Sequence, residues 1–395
     1  MGRIEMVMLE RKSSSKAIVY VLISGALSLF IGMGISRFAF TPLLPFMQTD
    51  FGFSDTVSGG LASANFLGYL LGAYYVRNLT SKPSAYNWLV ASILMSILCL
   101  GLMWLKIHLI WYFLRFWAGF WSGFLFVISA EFILNYLFQK NRQELFGIIY
   151  CGIGLGMIFS GLLVPLLSSQ FNSSQIWLWL AAACALPAIF VVFNMPKPEV
   201  SAYPIQAEGQ AKNHSKPQFL YVAYFLEGFG YIITGTFISV IVLRGTDSVL
   251  LSGYVWVIAG LGAILITPIW ALLSKRIGVR QILVLLYCIQ SLSIAMPVLF
   301  PGILTAILGA IGYGGTFLGI VSMAIVYGRM LNPAASTTAV LTVFFSLGQV
   351  LGPVTAGLMS DLSGGLDLPV MVAAFSVFLG GLILAFNKGA SYANY

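Results

Sequence analysis

The chain is divided into long apolar runs separated by short polar connectors, and the length of those runs fixes most of what it can fold into. An α-helix rises 1.5 Å per residue, so about 20 apolar residues cross a hydrocarbon layer ~30 Å thick. Runs of that length lie near 17–47, 57–79, 85–105, 109–138, 143–168, 175–195, 217–243, 250–274, 280–300, 302–328, 336–360 and 369–387. A membrane β-barrel would instead alternate in segments of about ten residues. The expectation is an all-α polytopic membrane protein with about twelve transmembrane helices. Composition agrees: 59% of residues are apolar and 8% charged, with mean hydropathy +0.94, against roughly 45–50% and 25% in soluble domains. Only "FPG" (300–302), a turn signal, separates the ninth run from the tenth.

Lys and Arg are retained on the cytoplasmic side of a membrane. Here Arg3, Arg11, Lys12 and Lys16 precede the first run, and Arg77, Lys82, Lys140, Arg142, Lys197, Lys212, Lys216, Lys275, Arg276, Arg280, Arg329 and Lys388 fill alternate connectors and the tail. The opposite connectors hold Lys106 and Arg244 among Asp50, Asp55, Asp247, Asp361 and Asp367. Both termini are therefore expected in the cytoplasm of a cell bounded by this inner membrane. The same asymmetry accounts for the pI of about 9.3, and no interleaved basic and aromatic patch suggests nucleic acid. Residues 1–16 read as a cytoplasmic segment, because the run that follows is too long for a signal-peptide core. Cys99, Cys151, Cys184 and Cys288 lie within spans without metal-type spacing and read as free thiols.

The longest connector, 196–216, is rich in Pro, Ala and charge and follows the sixth span; it reads as a cytoplasmic linker between halves at 17–195 and 217–387, with a tail at 388–395. The halves echo each other. "GIGLGMIFSGLLVP" (152–165) in the fifth span matches "GQVLGPVTAGLMSD" (348–361) in the eleventh, and Gly119 and Gly123 match "GAIGYGGTFLG" (309–319). Small residues so spaced let helices approach closely. Two pseudo-symmetric six-helix bundles around a midplane site describe an alternating-access secondary transporter.

Several motifs add a resemblance. "PIWALLSKRIGVRQ" (268–281) resembles the loop signature of the major facilitator superfamily, with Ala271 in place of its Gly and Lys275 in place of its Asp, while "GAYYVRNLTSKPSAYNW" (72–88) keeps little beyond its basic residues. "LRFWAGFWSG" (114–123) is similar to the fourth-helix pattern that this superfamily associates with proton coupling. "GMGISRFAFTPLLPFMQ" (32–48), "ANFLGYLLGA" (64–73), "EGFGYIITGTF" (227–237) and "LGQVLGPVTAG" (347–357) resemble its YbfB/YjiJ-type group. The resemblance implies the major facilitator fold and solute transport.

Charge inside a membrane is costly and usually functional. Only Arg37, Arg115, Glu131 and Glu227 lie well inside spans. At 1.5 Å per residue Arg37 sits ~12 Å below the mouth near Pro45, and Glu227 ~16 Å from Lys216, close to the midplane. The resemblance implies that the first and seventh helices face each other across a central cavity, so Arg37 and Glu227 are expected to border one aqueous pathway. Thr41 shares the face of Arg37, and Tyr224, Tyr231 and Thr234 share that of Glu227. Arg115 and Glu131 lie roughly 160° apart around one helix and cannot both line it. Arg115 is the expected cavity residue; Glu131 is expected to partner Arg77 or Lys82 in a cytoplasmic gate that also includes Lys275, Arg276 and Arg280. Asn65, Tyr69, Tyr254, Gln290, Tyr313 and Gln349 are polar residues within spans and candidate substrate contacts.

The function expected is movement of a small organic solute by a monomer in the lipid bilayer, driven by a proton gradient, with Glu227 changing protonation and no cofactor or metal. An uncoupled facilitator of the same fold is the alternative. A membrane enzyme needs a nucleophile with a base or metal ligands, yet the two histidines, His108 and His214, lie in connectors on opposite sides. A sensor would append a soluble domain, and no Gly-Lys-Ser/Thr phosphate loop indicates ATP-driven transport.

Overall fold

The computed structural model describes residues 2–77, 79–80, 82–197, 217–333 and 335–387, with backbone alone at 2–15 and 335–336. Residues 198–216 of the linker, and the tail 388–395, lie outside the described residues. Every regular element among the described residues is helical. The spanning rods are α1 (Lys16–Phe51), α2 (Asp55–Val76), α3 (Ala85–Leu102), α4 (His108–Gln139), α5 (Gln143–Leu167), α6 (Ser173–Asn194), α7 (Gln218–Thr246), α8 (Val249–Leu265 with Thr267–Ile277), α9 (Val279–Leu299), α10 (Ile303–Leu331), α11 (Thr337–Ser363) and α12 (Asp367–Phe386).

Ten of these are long and apolar enough to cross a membrane, or eleven when the two pieces of α8, bent by 43°, count as one span. The remaining rod, α2, has the required length at 22 residues. Its Ser, Gly and Asn make it less apolar, and it packs between α4 and α11. Side chains that a soluble protein would bury lie on the outside instead: Leu109, Leu186, Phe193 and Phe386 are about four-fifths exposed, as lipid contact requires.

Within the first half α2 packs on α4, α3 on α4 and α1 on α5; within the second, α7 packs on α11 and α12, α9 on α10 and α12, and α8 on α10. The halves meet along α2–α11, α5–α8 and α1–α7. The α2–α11 seam is tight enough to require glycine, since a Cβ on Gly59 would stand 2.0 Å from the carbonyl oxygen of Pro353.

The first rod is interrupted. Its α-helix Gly2–Leu29 passes into a π-helical turn, Phe30–Ile35, then four turn residues at 36–39, before Phe40–Phe51 resumes α-geometry. Hydrogen bonds there skip to the fifth residue back, from Ser36 to Ile31 at 2.9 Å and from Phe38 to Met33 at 3.0 Å. The cause is in the sequence. Pro42 has no amide hydrogen and its ring clashes with the carbonyl four residues earlier, which belongs to Phe38, while Gly32 and Gly34 weaken the turn before it. The widened backbone nests against α5, where a Cβ on Gly156 would stand 2.3 Å from the Cα of Gly34. This interruption sets the carbonyls of 36–37, and the side chain of Arg37, at the centre of the bundle.

Candidate functional site

Two arginines meet at the interruption and do different things. Arg115 on α4 is 1% exposed. It donates from Nη1 to the Ser36 carbonyl at 3.1 Å and from Nη2 to the Arg37 carbonyl at 3.5 Å, with the Phe40 ring 4.5 Å from its guanidinium carbon. It thereby satisfies carbonyls that a regular helix would have paired internally. Asn65 on α2 donates to the carbonyl of Arg115 at 2.9 Å, which ties α2, α4 and α1 into one polar knot.

Arg37 is 3% exposed. Its Nη1 touches the Met33 sulfur at 3.8 Å, and its Nε and Nη2 have no hydrogen-bond partner. Aromatic faces surround it instead, with Tyr69 at 4.3 Å, Phe66 at 4.5 Å and Phe38 at 5.4 Å. Among the described residues the ion pairs are Arg142–Glu144 and Arg244–Asp55, so no salt bridge joins Arg37 to Glu227. What links them is a pair of phenols: Tyr231 on α7 and Tyr313 on α10 interact electrostatically with both.

Glu227 is 1% exposed and sits in the second half beside Gln290 on α9. The two stop short of hydrogen-bonding geometry, for Glu227 Oε2 and both amide atoms of Gln290 are unpaired. Tyr231 is the hub between the charges. Its hydroxyl is bonded by the Gln349 amide, and its ring lies nearly parallel to those of Phe317, Phe345 and Tyr313, at 5°, 12° and 19°. One turn on, Thr234 is buried with its hydroxyl unpaired. Thr41 crosses between the halves, donating to the Gly235 carbonyl at 2.5 Å.

Other candidates fall elsewhere. Tyr254 is 43% exposed on the outer surface of α8. Near the end of the bundle where α1 begins and α12 finishes, called here the near end, Glu131 is half-buried and no ion pair among the described residues joins it to Arg77 or Lys82. Arg77 lies over the Tyr74 ring at 4.2 Å. Lys275 and Arg276 are exposed in the last turn of α8. Arg280 caps α12, donating to the carbonyls of Leu384 at 3.0 Å and Ala385 at 2.5 Å, the placement a helix C-terminus favours for a cation.

A polar cluster at the opposite, far end was not anticipated from sequence. Asp55, 5% exposed, accepts both Nη groups of Arg244 at 2.8 Å, Gln48 at 2.6 Å and Ser360 at 2.6 Å. Asp361 accepts the backbone amides of Asp55 and Thr56 at 3.1 Å each, so the second half caps a helix of the first. Asp55 lies at the mouth, ahead of the stretch 57–79. Burial opposes its ionisation, but Arg244 with Ser360 and Gln48 outweighs that and holds its carboxyl below the usual carboxylate range. The signal available in sequence was Arg244 and several Asp in connectors whose one other Lys or Arg is Lys106.

This architecture is that of the major facilitator transporters. A structure of the nucleoside transporter NupG, in a mutant form, superposes with a TM-score of 0.77 over 93% of this chain and 99% of that one at 16% identity; a second NupG structure gives 0.74. The chain belongs to the family described as "Uncharacterised MFS-type transporter YbfB", which it matches over residues 29–385. It is 25% identical to the MFS-type transporter YfkF of Bacillus subtilis over 340 residues, 82% of this chain and 86% of that one. A shorter likeness, 28% over 120 residues, covers 25% of this chain and 23% of a Medicago truncatula low affinity inorganic phosphate transporter. The family is one of membrane transporters, not enzymes.

Proposed function

We propose that the protein is a secondary active transporter of the inner membrane that carries a small organic solute between its halves by alternating access, coupled to the proton gradient. The observation that carries this reading is Glu227, a carboxylate 1% exposed with one oxygen unpaired and, among the described residues, no ion pair to a cation. The charge state of a buried carboxylate depends on its surroundings, and a change of surroundings is what rocking of the halves supplies. Tyr231 and Tyr313 interact electrostatically with both Glu227 and Arg37, so a change of charge at Glu227 is felt where the halves meet.

The distribution of Lys and Arg supports an orientation with both chain ends in the cytoplasm, which makes the Asp55 cluster periplasmic. On that orientation the hydrogen bonds between the halves cluster on the periplasmic side, as in a state closed to the periplasm. The working unit is a monomer in lipid, without cofactor. Proteoliposomes test the scheme. Glu227→Gln should abolish solute accumulation driven by a pH gradient while preserving solute counterflow; accumulation at the wild-type level in that variant rules Glu227 out as the proton carrier.

A further inference from the structure

Arg37 brings a full charge to the centre of the bundle, and among the described residues no carboxylate forms an ion pair with it. Elsewhere the same protein pairs a buried charge closely, as Asp55 with Arg244 at 2.8 Å. A desolvated guanidinium without a counter-ion is destabilising, and cation–π contact stabilises it without supplying a negative charge or accepting its N–H groups. Three rings within 5.4 Å therefore leave the charge under-compensated, with Nε and Nη2 still unpaired. These are two neighbouring donors of the fork that binds a carboxylate in bidentate fashion.

The second observation lies in the opposite half. Tyr231, Tyr313, Phe317 and Phe345 form a group of nearly parallel rings with centroids 5.4 to 6.4 Å apart. Tyr231 is fixed by Gln349 and interacts electrostatically with Arg37. A cation on α1 is thus accompanied by a stack of aromatic rings built from α7, α10 and α11, across the boundary between the halves. Parallel offset packing is what a planar ring prefers against such a surface. The other arginine at the centre, Arg115, directs both Nη groups to backbone carbonyls, so the bidentate edge left open to a carboxylate is that of Arg37.

We infer that the solute carried is a planar organic monoanion, an aromatic or heteroaromatic carboxylate, held by its carboxylate on Arg37 and by its ring against the Tyr231 group. This rests on the transporter reading above and adds the charge and shape of the cargo.

The test is equilibrium binding to the full chain in lipid nanodiscs with benzoate, nicotinate and indole-3-acetate, against acetate, benzyl alcohol and benzylammonium as controls. At least one ring carboxylate should bind tenfold or more tightly than all three controls. Arg37→Gln should lose that binding tenfold or more, and Tyr231→Leu should erase the preference over acetate while Tyr231→Phe keeps it. Thermal midpoints and size-exclusion profiles establish that each variant is folded. Equal binding of benzyl alcohol or benzylammonium, no binding of any ring carboxylate, or undiminished binding by folded Arg37→Gln overturns the inference. Proton-driven flux of a cation would remove this cargo class and leave the transporter; binding as expected without any flux would remove the transporter reading and leave the site.

Discussion

Arg115 holds the backbone of Arg37 in place while the guanidinium of Arg37 is left without an anion. One arginine is structural glue for a broken helix, and the other is the group that the break presents. Their roles separate in stability. Arg115→Ala should cost about 2–4 kcal/mol, because two buried carbonyls lose charged donors, and should lower the thermal midpoint in detergent.

Arg37→Met should leave that midpoint unchanged or raise it, since it removes an under-compensated buried charge and keeps a side chain of similar length. The same thermal scan measures both, and loss of transport with retained stability is the pattern expected of a group kept for function.

The far-end cluster should set how readily the halves part. Arg244 is half exposed, so its bonds to Asp55 contribute about 1–2 kcal/mol after solvent screening. Arg244→Ala should lengthen the distance between spin labels placed at Thr49 and Val249, read by pulsed electron resonance, by enlarging the population open at that end.

The same cluster should ignore ordinary changes of pH. The folded carboxyl of Asp55 lies below its usual range, so its contribution is complete above the unfolded value of about 3.9 and is lost only as pH falls below that. Label distances at Thr49 and Val249 should therefore stay constant from pH 8 to pH 5, apart from what binding at the centre imposes.

The seam between α2 and α11 gives a steric counterpart. Gly59→Val puts methyl groups where the Pro353 carbonyl already stands, and should separate the halves at the far end more than Arg244→Ala does. Crosslinking of cysteines introduced at Thr56 and Leu358 should slow accordingly.

The spans were legible in the sequence because a run of about 20 apolar residues has few other folds open to it, and even the reversal at 300–302 appears where "FPG" placed it. The interruption of α1 was legible in principle, in Pro42 and the glycines before it, but the long run 17–47 reads as one helix when only hydropathy is counted. Helical spacing put Arg115 on an inward face; that the face meets backbone carbonyls depends on a break 79 residues away. Tyr231 and Tyr313 were legible as polar residues within spans, but their ring partners Phe317 and Phe345 could not be singled out among 30 Phe, since apolar rings at helical spacing look alike whether they meet lipid or each other. Asp55, Arg244 and Asp361 are separated by 189 and 306 residues, and the sequence offered only their sign. Tyr254 is polar within a span yet lies on the outer surface, because a phenol is stable at a membrane boundary and its polarity alone does not direct it inward.

The cap that Asp361 places on α2 makes one helix of the molecule conditional. While the halves touch, the opening turn of α2 has acceptors for its first amides; once they part, those amides are orphaned and that turn is free to fray. Opening at this end is then coupled to partial unwinding, whereas closing restores order to the helix that also carries Asn65 and Tyr69, about three and four turns further in.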